Sequence, residues 1–260
     1  MKGRVPPPYT AAVAHATAPV ASTRPRTGAR RRVLRAFSYV LMGAGALVLV
    51  WVVVVWRWED PFTAIYTHFE QDRLGSTYNR TVRSYHPAAR PPPRADAAAE
   101  LRSMAADARV YARTLHTGGA VGRLLIGRIG LKMVVVQGTD DESLKKGPGH
   151  YPTSGLPGEG ALIYVAGHRT TYLAPFADIN DIRVGDYATL TVPYGSFTYR
   201  VVRHYIVAAT DLAVLVNHGH EILRLQACHP RFFATHRYIV DAKLVSFTPR
   251  GSTRAFPAPS

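Results

Sequence analysis

Cysteine is nearly absent. Among 260 residues Cys228 carries the sole thiol, so no internal disulfide can form and that group is left for packing, an intermolecular bond or chemistry. Acidic residues are absent from positions 1–35, where Lys2, Arg4, Arg24, Arg26, Arg30, Arg31, Arg32 and Arg35 stand unopposed. Charge of either sign is absent from Ala36 to Trp56. No C-x-x-C pair and no H-E-x-x-H run occurs, which removes the commonest zinc patterns. These gaps locate the formal net charge of +15: residues 121–245 hold thirteen basic and ten acidic side chains, so most of the excess lies outside the folding part. A polyanion-binding domain concentrates its charge on the folded surface. Nucleic acid is therefore not an expected partner.

What is present divides the chain into five stretches. Residues 1–35 mix Pro, Ala, Thr and Arg without apolar periodicity, which predicts a basic, disordered cytoplasmic tail. Residues 36–56 are apolar all round and long enough to cross roughly 30 Å of hydrocarbon as a helix. The arginines at one end and Trp51, Trp56 and Trp58 at the other predict an uncleaved signal anchor with the N-terminus inside. The lipid bilayer is then one partner of the chain, and the rest lies outside the cell membrane. Residues 57–120 predict a stalk: helical spacing from Asp60 to Leu74, a Pro-rich break at 85–94, and an Ala-rich helix from Ala95 to Leu115.

From Val121 the pattern changes to short β segments: Leu124–Ile129, Met133–Gln137, Ala161–Ala166, Tyr187–Val192, Phe197–Val207, Ile222–Ala227 and Tyr238–Phe247, with weaker candidates near Tyr172 and Val214. Phe197, Tyr199, Val201, Tyr205 and Val207 alternate, which predicts one shared face. So many strands with few helices predict an all-β domain over 121–247, an antiparallel sandwich or closed barrel. Residues 248–260 are expected to fray as a flexible C-terminal tail.

Cys228 ends a predicted strand, just before His229-Pro230, so its thiol is expected at a rim that a substrate can reach. Taken alone, a free Cys is a small buried hydrophobe. His168 also follows a strand, Ala161–Ala166, and Arg237 opens the last long one. A thiol, an imidazole and a guanidinium at three strand ends supply a nucleophile, an acid or base, and a cation for a developing oxyanion.

Ala166-Gly167-His168-Arg169-Thr170-Thr171-Tyr172, then Leu225-Gln226-Ala227-Cys228-His229-Pro230, then His236-Arg237-Tyr238-Ile239-Val240 resemble the sortases, most closely the class E housekeeping type of actinobacteria. The resemblance covers about Leu124 to Leu244. It implies a closed eight-stranded β-barrel and a cysteine transpeptidase that cleaves a C-terminal sorting signal (LAxTG or LPxTG-like) of secreted proteins. The acyl group would pass through a thioester to a cell-wall or pilin amine, such as that of a peptidoglycan precursor. The resemblance makes Cys228 the nucleophile, His168 the general acid and Arg237 the oxyanion donor, and requires no metal or cofactor. It gives Tyr172 a part in selecting the sorting motif. Where the family commonly has Thr-Leu-X-Thr, this chain has Arg224-Leu225-Gln226-Ala227, so Ala227 is a candidate substrate contact that lacks a hydroxyl.

Three other readings compete. His218, His220, Cys228 and His229 could form a zinc cluster, although Asn217 to His220 reads better as a turn. An L,D-transpeptidase-like cell-wall enzyme would show a Ser/Thr-His-Gly-Cys run, which is missing. A non-enzymatic, membrane-tethered β-domain would bind a partner and bury Cys228.

Overall fold

The computed structural model describes residues 27–58, 61–88 and 95–259. Of the tail expected over 1–35, residues 1–26 lie outside them, as do the prolines at 91–93, while 27–35 are helical and not disordered. The chain forms two units, 1–52 and 53–260. In the first, helix α1 (Thr27–Trp58) carries Leu47, Val48, Leu49 and Val50 at 60–71% exposure. Among the described residues its stretch Gly28–Val54 is the one helix long and apolar enough to cross a membrane. At about 1.5 Å per residue it outreaches a hydrocarbon layer of roughly 30 Å.

Two helices open the second unit, α2 (Pro61–Ser84) and α3 (Ala97–Ala112). A spacer stalk would expose both, and here both are docked. On α2, Leu74 joins Val134 and Val136 in a buried cluster, and Gln71 satisfies Val134 twice, accepting from its N–H at 2.8 Å and donating to its carbonyl at 3.0 Å. Helix α3 is capped by Asp96, whose carboxylate accepts from the Ala99 N–H at 2.7 Å. It sends Met104, Ala108 and Tyr111 into the main core.

That core fills a barrel of β1 (Ala120–Ile126), β2 (Leu131–Gln137), β3 (Gly149–His150), β4 (Leu162–Gly167), β5 (Tyr187–Val192), β6 (Gly195–Ala208), β7 (Ile222–His229) and β8 (His236–Pro249). The strand order is β6-β5-β1-β2-β3-β4-β7-β8, and pairing of β8 with β6 closes the ring. The ring is not wholly antiparallel: β2 pairs β3 and β4 pairs β7 in parallel. A short helix α4 (Asp141–Leu144) follows β2. The weak strand candidates are a turn at Tyr172 and a 3-10 turn over Leu212–Leu215. Residues 248–260 do not simply fray, because β9 (Phe256–Pro257) pairs β8 and buries Phe256 against Phe247 at 5.6 Å between rings.

Strand β6 departs from simple alternation. Its register against β8 shifts between Val201 and Arg203, so a bulge inserts one extra residue. Phe197, Tyr199 and Val201 therefore point into the barrel core, while Tyr205 and Val207 pack with Tyr164, Ala166, Val214 and Ile239 in a second apolar cluster.

Candidate active site

The parallel ladder of β4 and β7 ends with Gly167 opposite Ala227. The next residue on each strand is His168 and Cys228, so two neighbouring strands release an imidazole and a thiol at the same rim. On the other side of β7, antiparallel β8 places Arg237 opposite Cys228. All three thus gather at one end of three adjacent strands. Cys228 is half-buried.

Period two also decides where Ala227 points. It is 1% exposed and belongs to the barrel core with Leu223 and Leu225, while Arg224, Gln226 and Cys228 take the opposite face. Its side chain therefore offers nothing to a ligand beside Cys228, and the expectation of a substrate contact there is corrected.

Gly167 precedes His168 because Phe176 leaves no room: an added Cβ would stand 2.6 Å from Phe176 Cδ2. His168 itself is half-buried. Burial pushes its pKa below the ordinary imidazole value, and the carboxylate of Asp141 at the start of α4 pulls the other way. The Tyr172 ring lies 5.3 Å from the His168 ring. Tyr172, Leu173 and Ala174 are non-glycine residues at φ of 55°, 60° and 34°, a left-handed run that costs of order 1–3 kcal/mol per residue and persists only where neighbours enforce it. Helix α2 is such a neighbour. Thr63 Oγ1 accepts from the Tyr172 N–H at 3.1 Å, and the Tyr66 ring meets Tyr172 edge-on at 6.4 Å.

Arg237 Nη1 donates to the Ala234 and His236 carbonyls at 2.8 and 3.0 Å, which holds the guanidinium over the 230–235 loop. On the face that Cys228 shares, the second apolar cluster leads away from the rim, and Tyr164 donates to Gln226 Oε1. Beyond it Arg224 is buried and forks onto Asp241, Nε to Oδ1 at 2.6 Å and Nη2 to Oδ2 at 2.9 Å. Its Nη1 also donates to the Val214 carbonyl, tying the 3-10 turn over the apolar cluster to the sheet. Arg224 thus ties β7 to β8 and to the 3-10 turn.

Residues 124–245 match the sortase domain model. Sortase D of Bacillus subtilis is 37% identical over 135 residues, which is 50% of this chain and 67% of that protein. The chain belongs to the sortase family. Its activity is that class of cysteine transpeptidation, with sorting signals as substrates and amines as acceptors. The fold agrees: the sortase D5 transpeptidase of Clostridium perfringens superposes with a TM-score of 0.54 at 21% identity, covering 68% of this chain and 98% of that one. The SrtF sortase of Corynebacterium diphtheriae gives 0.51 at 25% identity over 54% and 91%.

Two features of this sortase escaped the sequence reading. Arg169 turns inward beneath the rim and donates to the Cys228 carbonyl at 3.3 Å. An arginine beside a strand-end histidine reads as surface, and nothing in its spacing signals burial. The apolar cluster outside the barrel was hidden because the bulge in β6 reassigns Tyr205 and Val207. His218 and His220 line a cavity of about 390 Å³ with Arg203, Arg224 and Lys243. Among the described residues no three His, Cys, Asp or Glu side chains gather closely enough to hold a metal.

Proposed function

We propose that Cys228, His168 and Arg237 carry sortase transpeptidation at this rim, an assignment supported above all by the parallel register that sets His168 and Cys228 side by side. The thiolate of Cys228 attacks the scissile carbonyl of the sorting signal, and the N–H groups of Arg237 receive the oxyanion. The C–N bond breaks as His168 gives its proton to the departing amine, leaving a thioester on Sγ. An acceptor amine, of a cell-wall precursor or a pilin, then attacks that carbonyl, returns a proton to His168 and frees the thiolate. The apolar cluster of Tyr164, Ala166, Val214 and Ile239 suits the apolar residues of such a signal.

The proton on His168 is the scarce component, because burial disfavours the imidazolium and only the carboxylate of Asp141 works against that. Removing that carboxylate lowers the His168 pKa further, so less of the enzyme carries the proton as pH rises. Asp141→Asn is therefore expected to move the alkaline limb of kcat/KM to lower pH and to cost about twofold to fivefold at neutral pH. A limb that stays in place would remove Asp141 from this account. The two limbs belong to the Cys228 and His168 pair jointly.

The class E assignment rests on Tyr172, while the curated relative is a sortase D. Full-length enzyme in detergent, given Leu-Ala-x-Thr-Gly and Leu-Pro-x-Thr-Gly peptides with an amine acceptor and read by mass, tests reaction and class together. Preference for the first, lost in Tyr172→Ala, supports class E, and no acyl transfer to any amine sinks the roles assigned here.

The apolar helix α1 suits a single-pass anchor. We place the basic N-terminal residues in the cytoplasm and the barrel outside, following the positive charges of 30–35. Protease added to intact spheroplasts should remove the barrel and spare the first 35 residues, and the reverse pattern overturns this orientation.

A further inference from the structure

Arg169 leaves β4 directly after His168, yet only 6% of it is exposed. Its Nε donates to the Ala177 carbonyl at 3.3 Å and Nη2 to Asn180 Oδ1 at 2.5 Å. Its Nη1 donates to the Cys228 carbonyl at 3.3 Å and to His229 Nδ1 at 3.0 Å. All four acceptors are neutral. The ion pairs within 4.0 Å among the described residues join Arg128 to Asp186, Lys145 to Glu142, and Arg203 and Arg224 to Asp241. None involves Arg169. A buried guanidinium without a carboxylate is costly to keep, and this one stands against the residue that carries the thiol.

We propose that Arg169 is a positioning residue for Cys228, fixing the end of β7 from beneath by gripping its backbone carbonyl and the ring of the next residue. The inference rests on Cys228 being the nucleophile. The carbonyl that Arg169 grips belongs to the same residue as the thiol, so the grip fixes the backbone from which Sγ projects. A guanidinium can only donate, so His229 Nδ1 must accept and the proton of a neutral ring sits on Nε2. Burial, Arg169 and His236 all press the His229 pKa down, in keeping with a neutral ring. That hydrogen bond locks the residue after the nucleophile as well as the nucleophile itself.

The other charged and titratable groups around Arg169 set the balance of the field. Asp178 and Asp181, flanking and ending the 3-10 turn Ile179–Asp181, and Tyr238 on β8 favour its charge through space, while Arg231 opposes it. Arg231 Nη2 also donates to the Arg169 carbonyl at 3.5 Å. His236 pairs with His229 across β7 and β8, and Arg237 pairs with Cys228.

Full-length protein in detergent, selectively labelled with 15N-histidine, tests the first part without any substitution. At neutral pH His229 should show an unprotonated Nδ1 and a protonated Nε2, and an imidazolium or an Nδ1–H tautomer overturns the proposal. The second part is read by the kinetics of Arg169→Lys and Arg169→Gln on a sorting peptide. Both variants should lose about tenfold in kcat at nearly constant KM, because neither keeps the planar fork that holds the strand end. In Arg169→Gln the single His229 tautomer should give way to a mixture. A kcat within about twofold of wild type in both variants, or a loss carried by KM, overturns the proposal. Labelling needs no peptide, so a wild-type chain that meets it yet transfers no acyl group sinks the sortase roles instead.

Discussion

Cys228→Ala is expected to abolish acyl-enzyme formation, with peptide cleavage falling by about three orders of magnitude or more. No neighbouring group can replace the thiol, since His168 is held as a weakly basic, half-buried imidazole and Arg237 can only donate. The fold should be unaffected, because Cys228 is half-buried at a strand end and not part of the barrel core. Thermal unfolding followed by circular dichroism should thus overlay wild type while mass spectrometry finds no adduct with a sorting peptide. Arg237→Ala is the graded companion: losing one oxyanion donor costs about 10²–10³ in kcat. Residual cleavage by Cys228→Ala at more than a few per cent of wild type would move the nucleophile elsewhere.

The largest loss of stability is expected at Asp241. Removing one partner of a buried ion pair costs about 3–5 kcal/mol, because the surviving charge stays out of water. Arg224 is 4% exposed and spends Nε and Nη2 on Asp241 and Nη1 on the Val214 carbonyl, while Arg203 Nε approaches Asp241 Oδ2 at 2.8 Å. Asp241→Ala strands Arg224 and loosens the turn over the apolar cluster, so KM for a sorting peptide should rise together with the loss in urea stability. Replacing both Arg224 and Asp241 with leucine should recover most of the stability, since an apolar pair of similar volume avoids the desolvation cost. An Asp241→Ala variant within about 1 kcal/mol of wild type would refute this account of the pair.

The barrel was legible because most of its strands are long, apolar and bounded by turn residues, and because nucleophile, imidazole and guanidinium each lie beside a strand end. Other parts were not legible, for local reasons. Strand β3 has only two residues, Gly149 and His150, too few for any period to show. Alternation from Phe197 to Val207 is interrupted in sequence at Arg203 alone, where a single extra residue in the ladder turns its second half outward. Ala227 was read as a lost hydroxyl because it adjoins Cys228, although adjacency on a strand means opposite faces. Helix α2 reads as a spacer because its docking depends on Gln71 and Thr63 finding partners far along the chain.

The parallel pairing of β4 with β7 has a consequence for how such an enzyme diversifies. The spacing between imidazole and thiol is written into a hydrogen-bond ladder that ends at Gly167 and Ala227, not into any of the connections that leave it. The segments 170–176, 209–221 and 230–235 can therefore lengthen, shorten or be exchanged between lineages without disturbing that spacing. A descendant can acquire a new clientele by editing its loops and inherit its chemistry unchanged.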